Sequence, residues 1–243
     1  MAKVVSVSNH KGGVGKTTII TNLGFALARH FKVLLIDLDP QANLTSGLGY
    51  SNSGENISKY FKEIIHFRMP EIKPYPINNY VHIIPGNIDL LKIENQLHET
   101  TRAQFVLKEM LIPLKKNYDL IFLDCPPSYN LLTINALLSS NLIIIPAKPE
   151  VFSIQGIELI RNFAKENSTP YKIVFNQVNS QTLHHKRIIK KEHHDEHVLD
   201  QTIRNTIVLA EAFESAQNIF HYKNSSSGAI DFTHLADELL CFL

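Results

Sequence analysis

The sequence has little cysteine, almost no net charge and no long apolar run. Cys125 and Cys241 are its only cysteines, far apart and without metal-ligand spacing, which is typical of a reducing compartment. The formal net charge of +1 means that any nucleic-acid contact must come from a local basic patch. No apolar run approaches the length of a membrane span, and Met1-Ala2-Lys3 does not begin a signal peptide. We therefore expect a cytoplasmic protein.

Apolar strand-like runs alternate along the chain with helix-like segments. The 243 residues, 44% of them hydrophobic, are enough for one domain over 1–243. Predicted strands cover 4–7, 32–36, 81–84, 120–123, 142–145 and 172–175. Predicted helices cover 19–28, 89–98, 101–116, 130–139 and 153–166, and loops cover 47–56 and 68–79. This alternation predicts an α/β fold with a mostly parallel twisted sheet and helices on both faces.

A glycine-rich turn joins the first predicted strand to the first predicted helix. Such a turn presents backbone N–H groups and the positive end of a helix dipole to an anion. A lysine adds a full charge for the β/γ-phosphates, and a following threonine hydroxyl is placed to bind Mg²⁺. The sequence therefore predicts a nucleotide site of the P-loop type. Its residues are Lys11, Gly12, Gly13, Val14, Gly15, Lys16, Thr17 and Thr18.

Aspartates follow two of the predicted strands. Asp37 and Asp39 follow the second strand, and Asp124 follows the strand at 120–123. Because ligands of open α/β sheets bind beyond the carboxyl ends of the strands, these acids are expected near the P-loop. One carboxylate would hold Mg²⁺ and another would orient the attacking water. The alternative is that they only cap the turns that follow.

The P-loop departs from the general pattern in a specific way. His10 stands where that pattern has a glycine, and Lys11 adds a second lysine. This resembles the deviant Walker A box of the ParA/MinD group of P-loop ATPases. The segment 37–49 resembles the Walker A′ and switch I segment of ParA/Soj partition ATPases, and 124–128 resembles their Walker B and switch II segment. The likeness is close over 3–49, 119–164 and 200–243, and loose over 50–118 and 177–199.

The resemblance implies a role for each matched residue. Lys11 would reach across an ATP-dependent homodimer to the partner's ATP, beside the catalytic Lys16. Asp39 would position the hydrolytic water, while Asp37 and Asp124 would support Mg²⁺ together with Thr17. Asn176 follows the last predicted strand, where relatives often place an asparagine against the adenine base. An asparagine at a strand end is also a common turn residue.

The most polar stretch, residues 182–197, is a candidate DNA contact. Ile188 and Ile189 would hold a helix to the body of the protein while its basic side chains project outward to DNA phosphates. The alternative is a solvated helix face, because acidic residues follow at once. The basic residues are Lys186, Arg187, Lys190 and Lys191. His193 and His197 are spaced to share a helix face, but they lack the zincin pattern, which requires Glu directly after the first His.

The last 40 residues carry two further expectations. Arg204 keeps the first arginine of a late ParA segment, and Val208 replaces the second arginine, which in many relatives contributes to DNA binding. The basic stretch, Arg204 and Lys223 would then make the DNA contacts of this chain. Arg204 is equally suited to a structural ion pair. The segment 232–243 has helical apolar spacing without the lysines of a membrane-binding helix, which favours core packing and no membrane contact.

Three hypotheses for the function follow. The first is a ParA-type ATPase that binds ATP and Mg²⁺, dimerises, binds double-stranded DNA of the nucleoid without sequence preference and is activated by a ParB-like partner. The alternative is a MinD-like or orphan ATPase that positions a protein assembly rather than DNA. A P-loop metabolic or redox enzyme is the third, although two isolated cysteines do not supply the paired ligands of a cluster.

Overall fold

The fold is built on a central sheet. A computed structural model describes residues 1–50 and 54–243, and within them seven strands form one sheet. The strands are β1 (Lys3–Val7), β2 (Val33–Asp37), β3 (Tyr75–Pro76), β4 (Val81–Ile84), β5 (Leu120–Asp124), β6 (Leu142–Ala147) and β7 (Tyr171–Phe175). Their order is β3-β4-β2-β5-β1-β6-β7, and only β3 is antiparallel to its neighbour. The predicted mostly parallel sheet is confirmed.

Helices cover both faces of the sheet. They are α1 (Lys16–Leu27), α2 (Asn43–Gly47), α3 (Ile57–Ile65), α4 (Leu90–His98), α5 (Val106–Leu114), α6 (Leu131–Ser139), α7 (Val151–Glu166), α8 (Leu183–Glu192), α9 (Ile207–Glu214), α10 (Ile219–Lys223) and α11 (Ser227–Leu239). Alternate strand residues point to opposite faces. Leu35 and Phe122 therefore pack with α1 and α11, whereas Leu34 and Ile121 pack with α3 to α6. At the other edge, α7 and α8 cover β6 and β7.

Several predicted boundaries were wrong. The expected loop 47–56 overlaps α2 by one residue, Gly47, and its residues 51–53 lie outside the described residues. The expected loop 68–79 contains β3. Helix α3 was missed although it has apolar helical spacing and Asn56 as its N-cap, which accepts a hydrogen bond from the Lys59 N–H. The helix expected over 101–116 covers only α5, after a 3₁₀ turn at Ala103–Phe105. A short helix gives few repeats of the apolar spacing, so its existence and its ends are hard to predict from the sequence.

The C-terminal helix packs into the core as expected. Phe232, Leu235 and Leu239 of α11 are buried against α1. Arg29, two residues after the end of α1, pairs with Asp237 of α11 at 3.3 Å. Among residues 1–50 and 54–243, no helix is both long and apolar enough to cross a bilayer.

Candidate active site

The glycine-rich turn runs from the end of β1 to the start of α1. Gly15 occupies the N-cap position of α1 with φ +87°, and Gly13 has φ +69°, a backbone region that favours glycine. A Cβ at Gly15 would lie 2.1 Å from Nδ2 of Asn176. The turn therefore leaves no room for a side chain at Gly15. The first N–H groups of α1 have no acceptor within the helix.

Lys16 lies inside this turn. Its side chain is buried, and its Nζ donates to the Asn9 and Lys11 carbonyl oxygens at 3.3 and 3.5 Å. Burial lowers the pKa of Lys16, and the negative charges of Asp124 and Asp39 act in the opposite direction. A buried ammonium held by weak carbonyl contacts is well suited to bind a phosphate group that displaces them.

The strand register brings Asp124 to the same turn. Asp124 is level with Val7 of β1 on one side and with Asp37 of β2 on the other. The Thr17 hydroxyl donates to Asp124 Oδ2 at 2.8 Å. Oδ1 of Asp124 is buried and has no hydrogen-bond partner among the described residues. Burial, and secondarily the charge of Asp37, raises the pKa of Asp124 well above its usual range.

Asp37 orders the segment that follows β2. Its Oδ2 accepts the Thr45 N–H at 2.9 Å and the Thr45 hydroxyl at 2.7 Å, while Oδ1 accepts the Asp39 N–H at 3.1 Å. Burial raises the pKa of Asp37 to about 6, although these hydrogen bonds act in the opposite direction. Asp39 is buried, and its Oδ1 accepts the Gln41 N–H at 2.9 Å. A role of Asp37 beside Mg²⁺ stays a prediction.

The oxygen groups at this end of the sheet suit a magnesium ion. Mg²⁺ prefers oxygen ligands and retains several waters, so it needs only one or two protein groups. The Thr17 hydroxyl and the unpartnered Oδ1 of Asp124 supply such groups. The ion would also relieve the repulsion between Asp124 and the neighbouring carboxylates of Asp37 and Asp39. The residues present therefore fit the predicted metal.

Glu150 is a site residue that the sequence reasoning missed. It lies between β6 and α7, and its Oε2 is 3.1 Å from Nζ of Lys11. The hydrogen bond from Lys11 lowers the pKa of Glu150. The signal that identified Asp37 and Asp124, an acid directly after a predicted strand, is weaker for Glu150, which lies three residues beyond Ala147 at the end of β6.

A cavity beside α1 contains Asn176. Its volume is 290 Å³, and its walls include Thr18, Thr206 and Phe213. Nδ2 of Asn176 donates to the Val14 carbonyl oxygen at 2.8 Å, so this side chain also supports the glycine-rich turn. Contact between Asn176 and a base stays a prediction.

The candidate DNA-contacting residues lie on α8, on α10 and, for Arg204, in the segment before α9. In α8, Ile188 is buried and Ile189 packs against the core, as expected, while Lys186, Arg187, Lys190 and Lys191 are exposed. Lys223 is exposed at the end of α10, which packs on the opposite face of the sheet from α8. The shared helix face expected for His193 and His197 is wrong, because α8 ends at Glu192.

Arg204 is engaged in a structural ion pair. Its Nη2 lies 2.6 Å from Oδ1 of Asp231 in α11, and its Nε lies 2.9 Å from Oδ2. The Asp231 side chain is 5% exposed, whereas that of Arg204 is 43% exposed. The structure thus shows the ion pair that was the alternative expected for Arg204. Contact between Arg204 and DNA stays a prediction.

Sequence comparison finds relatives along the whole chain. A family model described as AAA domain matches residues 2–177. The sporulation initiation inhibitor protein Soj of Bacillus subtilis is 34% identical over 249 residues, which cover 98% of each chain. The chromosome-partitioning ATPase Soj of Treponema pallidum is 31% identical over 250 residues, which cover 99% of this chain and 98% of that protein.

Solved structures share the fold. A cobyrinic acid a,c-diamide synthase from Mycobacterium smegmatis, with bound ATP analog and magnesium, has a TM-score of 0.80 and 28% identity and covers 99% of this chain and 95% of its own. A plasmid partition protein from Borrelia burgdorferi has a TM-score of 0.73 and 28% identity and covers 90% and 96%. These similarities agree with the α/β fold described above.

Proposed function

Because this chain belongs to the Soj/ParA family of P-loop ATPases, we propose that it is a partitioning ATPase whose ATP-bound dimer binds DNA. The predicted family is confirmed, and with it the prediction of an ATPase. The observation that carries the proposal is the meeting of Lys11, Lys16 and the Thr17–Asp124 pair at one end of the sheet. ATP and Mg²⁺ are its cofactors, as in the synthase with bound ATP analog and magnesium.

Each residue at this end of the sheet has a part in ATP hydrolysis. The backbone of the turn over residues 11–18 surrounds the phosphates, and Lys16 binds the β/γ-phosphate oxygens. Thr17 and Asp124 would hold Mg²⁺, and the ion would neutralise charge on the phosphate oxygens. Asp39 orients the attacking water, and the hydrogen bond from its N–H to Asp37 supports this position of the backbone.

The proposed dimer joins two copies through their nucleotides. Lys11 of each copy reaches the triphosphate of the other, so that closure requires ATP in both. The strand ends that hold the acids would then face each other and exclude water from the phosphates. A ParB-like partner would accelerate hydrolysis and reopen the dimer.

The exposed face of α8 is the proposed DNA contact. Four cationic side chains on one helix can neutralise phosphates without reading sequence. Dimerisation doubles this patch, so affinity rises steeply when ATP is bound. The chain would then be located in the cytoplasm on the nucleoid. With a net charge of only +1, the open monomer attracts DNA weakly.

DNA co-sedimentation tests this function. We expect retention with ATP but not with ADP, and none for Lys16→Ala with either nucleotide. The variant Asp39→Ala, which is expected to bind ATP without hydrolysing it, should stay bound to DNA for longer than the parent protein. Retention should weaken steeply with salt. Lys190→Glu/Lys191→Glu removes four cationic side chains from the dimer and should reduce the salt slope by about four. Lys116→Glu, an exposed charge reversal on the loop between α5 and β5, is the control.

The other outcomes decide between the hypotheses. Equal retention with ATP, with ADP and with Lys16→Ala would contradict the proposal. ATP-dependent dimerisation without DNA retention would favour an ATPase that positions a protein assembly. A positioner that is itself carried on DNA would pass the same test, and only the partner bound by the ATP dimer would distinguish it.

A further inference from the structure

We propose that Thr45 is a positioning residue for ATP hydrolysis, held in place by a buried hydrogen-bond network that continues to helix α3. The inference rests on the proposed function, in which Asp39 orients the attacking water. It starts from the Thr45 side chain, which lies in α2 and is buried. The Thr45 hydroxyl has one hydrogen-bond partner in the strand β2 and another in the loop after β4.

The Thr45 hydroxyl joins the Asp37 carboxylate to this loop. It donates to Asp37 Oδ2 at 2.7 Å and accepts the Gly86 N–H at 2.9 Å. The backbone at Gly86 is so close to β2 that a Cβ there would lie 2.8 Å from the Asp37 carbonyl oxygen. The hydroxyl therefore fixes one oxygen of the carboxylate, while the other oxygen accepts the Asp39 N–H.

The segment between Asp37 and Thr45 depends on these contacts for its shape. Ala42 has φ +53°, in a backbone region that residues other than glycine rarely adopt. Such a conformation persists only where the surrounding structure holds it. The Asp37 carboxylate holds both ends of the segment, because it accepts the Asp39 N–H and the Thr45 N–H. A change in the orientation of this carboxylate would therefore move Asp39.

The network continues from the loop after β4 to the start of α3. Ser58 Oγ lies 2.7 Å from Oδ1 of Asn87 and 2.7 Å from Oδ1 of Asn56, the N-cap of α3. The Ile57 N–H donates to the Pro85 carbonyl oxygen at 2.9 Å. All three polar side chains are buried, and buried hydrogen-bonded groups orient one another. The helix α3 therefore supports the loop that faces the segment after β2.

The network is expected to act on the chemical step rather than on ATP binding. It holds the segment that carries Asp39, whereas the turn over residues 11–18 surrounds the phosphates. A misplacement of about 1 Å at a reacting group can lower a rate by about 100-fold. Loss of the Thr45 hydroxyl should therefore lower kcat strongly and change the Kd of ATP little. Ser58 acts through the loop, so its loss should have a smaller effect.

Phosphate release at saturating ATP and Mg²⁺ tests the role of Thr45. We expect Thr45→Val, which keeps the branched shape and removes the hydroxyl, to lower kcat by about 10- to 100-fold. Thr45→Ser, which keeps the hydroxyl, should retain most of the parent kcat. Titration with a non-hydrolysable ATP analogue should show Kd values within about two-fold of the parent in both variants. An unchanged kcat in Thr45→Val, an equal loss in Thr45→Ser or a parallel loss of analogue binding would refute the positioning role.

Ser58→Ala tests the far end of the network. Loss of one neutral hydrogen bond should lower kcat by about two- to ten-fold. Ser139→Ala is the matched control, because the Ser139 hydroxyl is similarly buried and donates to the Asn135 carbonyl oxygen at 2.7 Å within α6. This control should leave kcat unchanged. Equal kcat values in Ser58→Ala and Ser139→Ala would overturn the continuation of the network to α3.

DNA retention separates this inference from the proposed function. With ATP, Thr45→Val should bind DNA and stay bound for longer than the parent, as expected for Asp39→Ala. Rapid release of Thr45→Val from DNA would contradict the positioning role if the parent is retained. A parent that is not retained with ATP would contradict the proposed function. The kcat ratio of Thr45→Val to Thr45→Ser would then still decide the role of Thr45.

Discussion

At the scale of single residues, burial governs the charges of the site. Asp124 is 1% exposed, and its contacts in the described part of the chain include the Thr17 hydroxyl but no ion pair. Burial disfavours the ionised form of this carboxylate, and the attraction of the Lys16 ammonium offsets that cost only in part, because the pKa of Asp124 is still raised. Without Mg²⁺ and nucleotide the site therefore lowers the stability of the protein, and the ligands restore it.

Asp124→Asn is expected to stabilise the ligand-free protein while it removes Mg²⁺-dependent ATP binding. Below pH 3.8 the carboxyl is protonated in both states, and the variant and the parent have similar unfolding free energies. As the pH rises, the unfolded chain ionises first because the folded pKa is raised, so the parent loses stability. At pH 7.5 we expect the variant to be more stable by about 0.5–2 kcal/mol. Urea unfolding in EDTA at pH 4 and 7.5 measures this, and a pH-independent difference would contradict it.

Arg204 forms an ion pair with the buried carboxylate of Asp231, which is expected to stabilise the fold. Arg204→Ala should lower the unfolding free energy by about 1–3 kcal/mol, because it leaves the buried Asp231 carboxylate without its partner. Arg204→Ala/Asp231→Ala should recover part of that loss. Lys186→Ala, on an exposed helix face, should change stability by less than about 0.5 kcal/mol. Equal stabilities of the three variants in urea unfolding would refute the structural role of Arg204.

At the scale of secondary structure elements, α7 and the glycine-rich turn are packed closely. Gly156 lets α7 approach Asn9, which holds the Lys11 backbone. Asn9 is fully buried and hydrogen-bonded by both ends of its amide, so it cannot move away from an added methyl group. The helix therefore positions the turn through this contact.

Gly156→Ala should weaken ATP binding and lower the unfolding free energy by about 1–3 kcal/mol, the usual cost of overpacking. Isothermal titration with ATP and Mg²⁺ measures the first effect. Gly24→Ala is the matched control, because a Cβ there would also lie 2.8 Å from its neighbour, a methyl group of Leu35 that can rotate. ATP affinity should be retained in Gly24→Ala, and an equal loss in both variants would contradict the positioning role of α7.

At the scale of the whole molecule, ligand binding and stability are coupled. The proposed binding residues come from the turn after β1, from α1, and from the carboxyl ends of β2, β5 and β7, so bound nucleotide links distant parts of the chain. A ligand at 100 times its Kd stabilises the folded state by about 2.7 kcal/mol. In a chain of this size, each kcal/mol raises Tm by about 2–4 °C.

We therefore expect ATP with Mg²⁺ to raise Tm by about 5–11 °C at 100 times the Kd. In Asp39→Ala the rise should also increase with protein concentration, because dimerisation stabilises further. Scanning calorimetry over a tenfold range of protein concentration measures both effects. Lys16→Ala should show neither. A shift that does not depend on protein concentration would show that ATP binds without association.

The sequence by itself determined the α/β class, the glycine-rich turn, its lysines and threonine, and the three acids. These features are local, because strand and helix periodicity and turn chemistry are encoded in neighbouring residues. The family resemblance rests on the same segments. Some of the missed features were short or irregular, such as α2, β3 and the late start of α5 within the helix expected over 101–116. The helix α3 was also missed, despite its apolar helical spacing.

Only the tertiary structure decided which partners these groups have. The Lys11–Glu150 pair, the approach of Gly156 to Asn9 and the Arg204–Asp231 pair join residues far apart in the chain. The orphaned oxygen of Asp124 likewise depends on the register of β1, β2 and β5. Such pairings follow from how strands align and helices pack, and no local pattern specifies that alignment.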